Sequence, residues 1–170
     1  QVEAVVKFSR GLPLVATTAA RLWAAYDHTD FQTIKAQVAA DLVDRLLESV
    51  PKTIERLVEA AAALRWFDQS VLRAVLETEI PAADFKELRQ FPFTRPMREG
   101  KLALHDVVRD VLDENLKIHD PARHKQWHER AAAYFKQAMP QASLSEQELF
   151  GLERLYHRVR ANEESGTQLF

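Results

Sequence analysis

The chain has 170 residues, 46% of them hydrophobic, with a formal net charge of −2 and no cysteine. That length allows one ordinary domain or two or three very small ones, with enough apolar side chain for a buried core. The nearly balanced charge disfavours a general nucleic-acid or membrane-surface binder, and the lack of cysteine excludes disulfides and thiolate metal sites. Only four glycines, in a sequence rich in Ala, Leu, Glu and Arg, favour helix over sheet. No apolar run approaches the ~20 residues of a membrane helix, so we expect a cytoplasmic, mainly α-helical protein without membrane contact.

Residues 1–50 are predicted to form a helical bundle. Its clearest landmark is the break Gly11-Leu12-Pro13, since glycine suits the left-handed position after a helix and proline suits the first turn of the next. The opening segment QVEAVVKFSRG has the character of the middle of a helix and lacks the features of a signal peptide. We therefore expect the chain to be a piece of a longer protein.

Residues 51–119 are predicted to form a winged-helix domain. Three short helices with apolar residues at i, i+3 and i+4 come first, the second capped by Asp68 and the third opened by Pro81. The period then shifts to alternation on either side of a turn, which predicts a small β-hairpin with a positive φ at Gly100. A further helix begins at His105-Asp106.

Residues 120–170 are predicted to form two antiparallel helices, like one hairpin of a tetratricopeptide-type repeat. Asp120-Pro121 is a strong signal for the start of the first helix, with aspartate as the cap and proline in the first turn. The buried face of the last helix is predicted from helical spacing to be Leu149, Leu152, Tyr156 and Val159. A single hairpin of this kind buries its apolar face poorly, so we expect a neighbouring repeat and a protein partner on this arm.

Three motifs carry a resemblance to a known family. They are Gly11-Leu12-Pro13-Leu14, then Leu104-His105-Asp106, and finally the run His105-Asp106-Val107-Val108-Arg109 with Asp120-Pro121 and His128-x-x-Ala131-Ala132-x-Tyr134 behind it. In this order they resemble the C-terminal part of the STAND-class, NB-ARC-like signalling ATPases of the AAA+-related group. That part comprises a helical lid with a GxP motif, a winged helix with a Met-His-Asp motif and, in bacterial members, helical repeats. Leu104 stands where the family has Met, which is a volume-conserving change.

The resemblance implies that Pro13 and His105 contact a nucleotide. In the family the motif proline packs on the adenine of ADP, and the histidine contacts the β-phosphate and holds the inactive state closed. Asp106 would fix the local turn. ADP or ATP with Mg²⁺ would belong to a nucleotide-binding core upstream in the longer protein, because this chain has no GxxxxGK[ST] phosphate loop and no apolar strand ending in paired acids. We therefore expect a regulatory segment that senses the ADP/ATP state of that core and relays it to helical repeats. By itself it would not be an enzyme, and we expect it to hold no catalytic residues and no bound cofactor.

The chemistry of the His-Asp pair agrees with such a contact. A strand that ends at Leu104 puts His105 at the N-terminus of a helix, where unpaired N–H groups and the positive end of the helix dipole attract a phosphate. A histidine there can donate a hydrogen bond, with charge assistance when it is protonated. One such contact contributes on the order of 1–3 kcal/mol, enough to bias a two-state switch but not to lock it.

Other interpretations of the same residues stay open. Gly11-Leu12-Pro13 can be a plain helix break, and His105-Asp106 can be a plain helix cap. The winged helix can belong to a DNA-binding transcriptional regulator with a helical effector arm, although its basic residues are few. The chain can also be a helical scaffold whose motifs are accidental. His119, His124 and His128 suggest zinc, but the glutamate of an HExxH motif is missing and no convergent carboxylate is evident, so we expect no metal site.

Overall fold

The computed structural model describes residues 51–162 without a break, together with Thr17, Val43, Asp44, Glu48 and Val50. The fold is mainly α-helical with one small antiparallel β-hairpin, so the predicted fold class is confirmed. Apart from those five residues, the predicted helical bundle over 1–50 lies outside the described residues, and Pro13 lies outside them as well. In the described part of the chain, no helix is both long enough and apolar enough to cross a membrane.

The described elements follow one another in the predicted order. The helices are α1 Lys52–Ala62, α2 Gln69–Leu76, α3 Ala82–Gln90, α4 Asp106–His119, α5 Pro121–Ala138 and α6 Leu144–Ala161. The strands are β1 Thr94–Pro96 and β2 Leu102–Leu104, and short 3₁₀ turns cover Arg98–Gly100 and Met139–Gln141. We call 51–119 the hairpin part and 120–162 the helical arm.

Short-range polar contacts explain where several helices begin. The side chain of Asp68 accepts a hydrogen bond from the main-chain N of Val71, and that of Asp120 accepts one from the N of Arg123, with Pro121 in the first turn of α5. Each of these bonds satisfies an otherwise unpaired N–H of a first turn, which stabilises a helix by about 0.5–2 kcal/mol. Both caps were predicted from the sequence, and both are confirmed.

Strand β2 is hydrogen-bonded to a neighbouring segment on each side. On one side Thr94 lies opposite Leu104 in the antiparallel pair, and the turn between the strands places Gly100 at φ 74°, as predicted. On the other side Phe67 and Leu102 exchange main-chain hydrogen bonds of 2.7 and 2.8 Å. All three residues of β2 are buried. These pairings therefore also fix the backbone position of His105, the residue that follows β2.

A single hydrophobic core joins the hairpin part to the helical arm. Trp127 and Phe135 of α5 belong to the same buried cluster as Ile54, Phe67 and Leu72 of the hairpin part. Helix α5 packs against α2 and α4, and α6 packs along α5. The predicted boundary at 119/120 is therefore a tight turn between two helices that share a core, rather than a linker.

The buried face of α6 differs from the sequence prediction. Leu152 was expected inside, but it is 60% exposed, whereas its neighbour Glu153 is 2% exposed and His157 is 0% exposed. The prediction was wrong for Leu152, whereas Leu149 and its neighbour Phe150 do pack against the core. The inward face also carries the polar groups of Glu153 and His157, which spacing alone did not predict, and each of them has a buried polar partner.

Candidate functional site

His105 lies at the start of α4, where the sequence predicted it. It is the cap residue of α4, but its side chain makes no capping hydrogen bond. Its main-chain N donates to the carbonyl of Phe93 at 2.8 Å, and its carbonyl accepts from the N of Arg109 at 2.9 Å. The backbone of His105 is thus tied to the hairpin on one side and to the first turn of α4 on the other.

The ring of His105 keeps one nitrogen unsatisfied. Its Nδ1 is buried and has no hydrogen-bond partner among the described residues, although the residue as a whole is only half-buried. Leaving a buried polar atom without a partner costs about 1–3 kcal/mol. Because this atom is shielded, a ligand could reach it only if the ring turned, whereas the rest of the side chain is partly exposed at a helix N-terminus, where N–H groups attract anions.

Asp106 ties the first turn of α4 to β1. Its Oδ1 lies 3.1 Å from Nη2 of Arg95 on β1 and 3.4 Å from Nη1 of Arg109, one turn further along α4. Arg109 also pairs with Asp110 at 2.8 Å. The groups of this site that would attract a phosphate are His105 and the N–H groups of the first turn.

A second polar site lies inside the molecule, where α4, α5 and α6 meet. We call it the buried histidine cluster: Asp113 from α4, His124 and His128 from α5, and His157 and Arg160 from α6. His124 and His128 are one turn apart and face Asp113. Nε2 of His124 lies 3.2 Å from Oδ1 of Asp113, and Nε2 of His128 lies 3.4 Å from the same oxygen.

The cluster continues into α6 through two contacts. Nδ1 of His128 lies 2.7 Å from Nδ1 of His157, so the two rings share one proton between facing nitrogens. Nη2 of Arg160 donates to Oδ2, the second carboxylate oxygen of Asp113. The helical arm is therefore joined to α4 by polar contacts inside the shared core as well as by apolar ones.

Burial and mutual proximity set the charges in the cluster. Burial raises the pKa of Asp113, but the adjacent imidazoles of His124 and His128 and the guanidinium of Arg160 lower it more, so the net pKa lies below the ordinary value and the carboxylate is ionised. Burial lowers the pKa of His128, and Asp113 offsets only part of that effect. Burial, aided by the nearby charges of His128 and Arg65, lowers the pKa of His157 well below its ordinary range. The rings of His128 and His157 are therefore neutral at physiological pH.

A third polar contact fastens α6 to the segment after α1. Glu153 accepts hydrogen bonds from Nε and Nη2 of Arg65 at 3.1 and 2.9 Å, and from Nε1 of Trp66 at 2.9 Å. The fork of the guanidinium and the indole N–H satisfy a carboxylate that would be costly to bury alone. Glu153 thus explains part of the polar face of α6.

The structure corrects the sequence analysis on one chemical point. The sequence showed no carboxylate that converged with His124 and His128, yet Asp113 reaches both of them from the preceding helix. Together the three residues offer ligand atoms that all lie within 4.8 Å of one another. His119, the third histidine considered, is exposed at the end of α4, where its Nδ1 contacts the carbonyl of Asn115.

One signal in the sequence could have revealed the cluster. Asp113 stands between Leu112 and Leu116 on the apolar stripe of α4, a position where an acid is rarely buried unless it is paired. His157 and Glu153 stand one turn apart in the same way on α6. What the spacing did not show is that α5 brings imidazoles to the first acid, because that depends on how the helices pack.

Comparison with known proteins identifies no relative of this chain. The chain matches no protein-family model, and no curated protein matches it.

Proposed function

We propose that the chain is a regulatory segment of a STAND-type signal-transduction ATPase, and that His105 contacts a phosphate of the nucleotide held by a core elsewhere in the longer protein. The observation that carries the proposal is the state of His105: a cap residue without a capping bond, with a buried and unsatisfied Nδ1, directly behind the hairpin. Those features suit a phosphate contact at a helix N-terminus. The nucleotide would be ADP or ATP with Mg²⁺, and the protein would work in the cytoplasm.

The fold offers a route for the signal. β2 is held on both sides, His105 follows it at once, and α4 shares a core with α5. A force on His105 would therefore move the hairpin part and the helical arm together rather than bend a linker between them. A contact of on the order of 1–3 kcal/mol that forms in one nucleotide state only would shift the balance between two orientations of this unit.

The helical arm supplies a surface for a protein partner. Leu144, Leu152 and Leu155 of α6 are 82%, 60% and 41% exposed. Leu152 and Leu155 are three positions apart on one face of the helix, the arrangement of a helix that packs on another helix. A neighbouring repeat or a separate protein on that face would receive the change in orientation.

The experiment compares the histidines at the two ends of α4, in the longer protein that contains the nucleotide-binding core. His105→Ala is expected to weaken ADP binding about tenfold, because it removes one charge-assisted hydrogen bond, and to raise basal signalling. His119→Ala is the matched control, since His119 is exposed at the other end of the same helix. Equal ADP affinities for His105→Ala and the unsubstituted protein would contradict the proposal.

The alternative function, a DNA-binding regulator, has a weaker basis. Lys86 and Arg89 on α3 and Arg98 in the turn are exposed. Arg95 and Lys101, which would extend the patch, are paired with Asp106 and Glu99. A salt-dependent gel shift with duplex DNA that Arg98→Ala abolishes would favour this alternative over the first.

A further inference from the structure

We propose that Asp113, His124 and His128 bind one divalent transition-metal ion, zinc in the first place, through Oδ1 of the aspartate and Nε2 of each histidine. We call these three atoms the tripod. The site is independent of the nucleotide contact proposed above, because it lies in the core between α4 and α5 and involves none of the same residues. The ion would join the hairpin part to the helical arm.

The distances within the tripod match those around a tetrahedral zinc ion. The Nε2 atoms of His124 and His128 are 3.1 Å apart, and they lie 3.2 and 3.4 Å from Oδ1 of Asp113. Histidine nitrogens and carboxylate oxygens bind zinc at ~2.0–2.1 Å, and two such ligands at a tetrahedral angle are ~3.3–3.4 Å apart. An ion can therefore be reached from all three atoms with shifts of only a few tenths of an ångström.

The carboxylate oxygen of the tripod has electrostatic contacts with two imidazoles but lacks a well-aligned hydrogen bond. Asp113 is 4% exposed, and its Oδ1 accepts no hydrogen bond from the described residues, although two imidazole nitrogens lie close by. Nε2 of His128 and Nε2 of His124 lie within hydrogen-bonding distance of each other at 3.1 Å, so an ion at this point would replace the proton between them. A buried and unpartnered carboxylate oxygen beside two imidazoles is what a metal ion would satisfy.

The residues around the tripod orient its ligands. Nδ1 of His128 lies 2.7 Å from Nδ1 of His157, so a ring that binds metal through Nε2 can donate its remaining N–H to His157. Arg160 holds the second oxygen of Asp113 and leaves Oδ1 to the ion. Metal-binding histidines and carboxylates commonly have such outer partners, which set the tautomer and the orientation of the ligand. The charge of Arg160 also opposes a cation, so the affinity would be lower than that of a site without it.

The donor set selects the class of metal. Two imidazoles and one carboxylate suit zinc and its neighbours in the first transition row, whereas magnesium and calcium prefer oxygen ligands only. The neutral imidazole ring is a common ligand of these metals. Three protein ligands leave one position of the tetrahedron for a water molecule or another small ligand.

The first experiment measures zinc directly on the chain, prepared without a polyhistidine tag. The unsubstituted protein is expected to take up one zinc ion per chain in a titration of the metal-free form, with visible absorption bands of tetrahedral Co²⁺ when cobalt replaces zinc. Asp113→Asn and His124→Gln each remove one ligand with little change of volume. Each is expected to weaken zinc binding by more than ~100-fold, because the loss of an outer partner alone costs ~10–100-fold.

The controls separate a lost ligand from a lost fold. His119→Gln removes an exposed histidine of α4 and is expected to bind zinc like the unsubstituted chain. His157→Phe removes the outer partner of His128 and is expected to weaken zinc binding ~10–100-fold. Zinc that binds equally well to Asp113→Asn, or that does not bind to the unsubstituted chain, would overturn the proposal.

The second experiment needs no substitution. In the zinc-bound form the proton of His128 must sit on Nδ1, since Nε2 is a ligand, and His157 must accept it. The ¹⁵N resonances of the imidazole rings report which nitrogen carries the proton. Stoichiometric zinc is expected to fix His128 as the Nδ1–H tautomer and to shift the Nε2 resonances of His124 and His128. Resonances that stay unchanged on addition of zinc would mean that the cluster is a hydrogen-bonded network without an ion.

Discussion

The start of α4 and its second half carry two different kinds of polar site. His105 and Asp106 are neighbours in the sequence, and local contacts with the adjacent hairpin hold them in place. Asp113, only two turns further on, meets residues that α5 and α6 bring from a distance. The first site is partly open and keeps an unsatisfied nitrogen, whereas the second is closed in the core. A site open to solvent can change its partner as a switch must, and a closed one is suited to holding helices together.

The same difference predicts how the two sites respond to substitution. A buried charge that loses its partner is costly, because the remaining charge stays in a medium of low polarity. A half-exposed side chain without a hydrogen bond can be removed at little cost to the fold.

Asp113→Ala is expected to destabilise the chain by about 3–5 kcal/mol, because it removes the carboxylate that two buried imidazoles and the partly exposed guanidinium of Arg160 contact. Urea unfolding followed by circular dichroism measures the change. Glu114→Ala replaces the next carboxylate along the helix, which is exposed, and should alter stability by less than about 0.5 kcal/mol. Equal effects of the two substitutions would mean that the cluster does not fasten α4 to the arm.

Removal of zinc is expected to lower stability by about 2.7 kcal/mol relative to the protein in zinc at a hundred times its dissociation constant. Thermal unfolding with and without a chelator measures this as a shift of several degrees. His124→Gln should abolish the difference between the two conditions, since it removes one metal ligand. A chelator effect that persists in this variant would place the ion elsewhere.

Glu153→Ala is expected to cost about 2 kcal/mol, because it leaves the indole N–H of Trp66 buried without an acceptor and Arg65 without its partner. Glu148→Ala, an exposed acid on the same helix, is the matched control. A double-mutant cycle with Arg65→Ala isolates the ion pair, for which a coupling of about 0.5–3 kcal/mol is expected. Additive effects of the two substitutions would show that the pair contributes nothing by itself.

The stability of the metal-free chain is expected to fall as the pH drops below about 6.5, the ordinary pKa of histidine. The pKa values of His128 and His157 are lowered in the folded state, so the unfolded chain binds more protons in this range and stability rises with pH. The contribution is complete above the unfolded pKa and is lost as the pH falls towards the folded values. Asp113 stays ionised in this window because its pKa is also lowered.

Urea unfolding at pH 8 and pH 5.5 in the presence of a chelator measures this dependence. His157→Phe should make the two stabilities more alike, because it removes a ring that must stay neutral in the core. His119→Ala should leave the dependence as it is. A chain that is equally stable at both pH values would contradict the argument.

His105→Ala is expected to leave the isolated chain at least as stable as the unsubstituted one, because the side chain caps nothing and its removal eliminates a buried nitrogen without a partner. Asp68→Ala is the informative comparison, since Asp68 occupies the same position on α2 and does make the capping bond. That substitution should cost about 0.5–2 kcal/mol. A cost for His105→Ala as large as that for Asp68→Ala would favour the plain cap over a residue reserved for a ligand.

Features that depend on near neighbours in the sequence were predicted correctly. The caps at Asp68 and Asp120 join residues three positions apart, and the positive φ of Gly100 belongs to a turn of a few residues. The position of His105 at a helix start follows from the end of one strand and the beginning of one helix. These preferences act over a few bonds, so the order of side chains is enough to set them.

The face of α6 and the buried histidine cluster could not be predicted in this way. Spacing alone placed Leu152 inside, yet Glu153 is inside because Arg65 and Trp66, nearly ninety positions earlier, offer it three hydrogen bonds. In the same way Asp113 is buried because α5 turns back over α4 and brings His124 and His128 to it.

The mainly helical fold, the hairpin and the place of His105 at the start of α4 therefore follow from local sequence preferences. Which polar groups of α4, α5 and α6 lie in the core, and which of them meet, depends on how the helices pack. The physical reason is that a buried polar group is stable only with a partner, and for these helices the partner comes from a distant part of the chain.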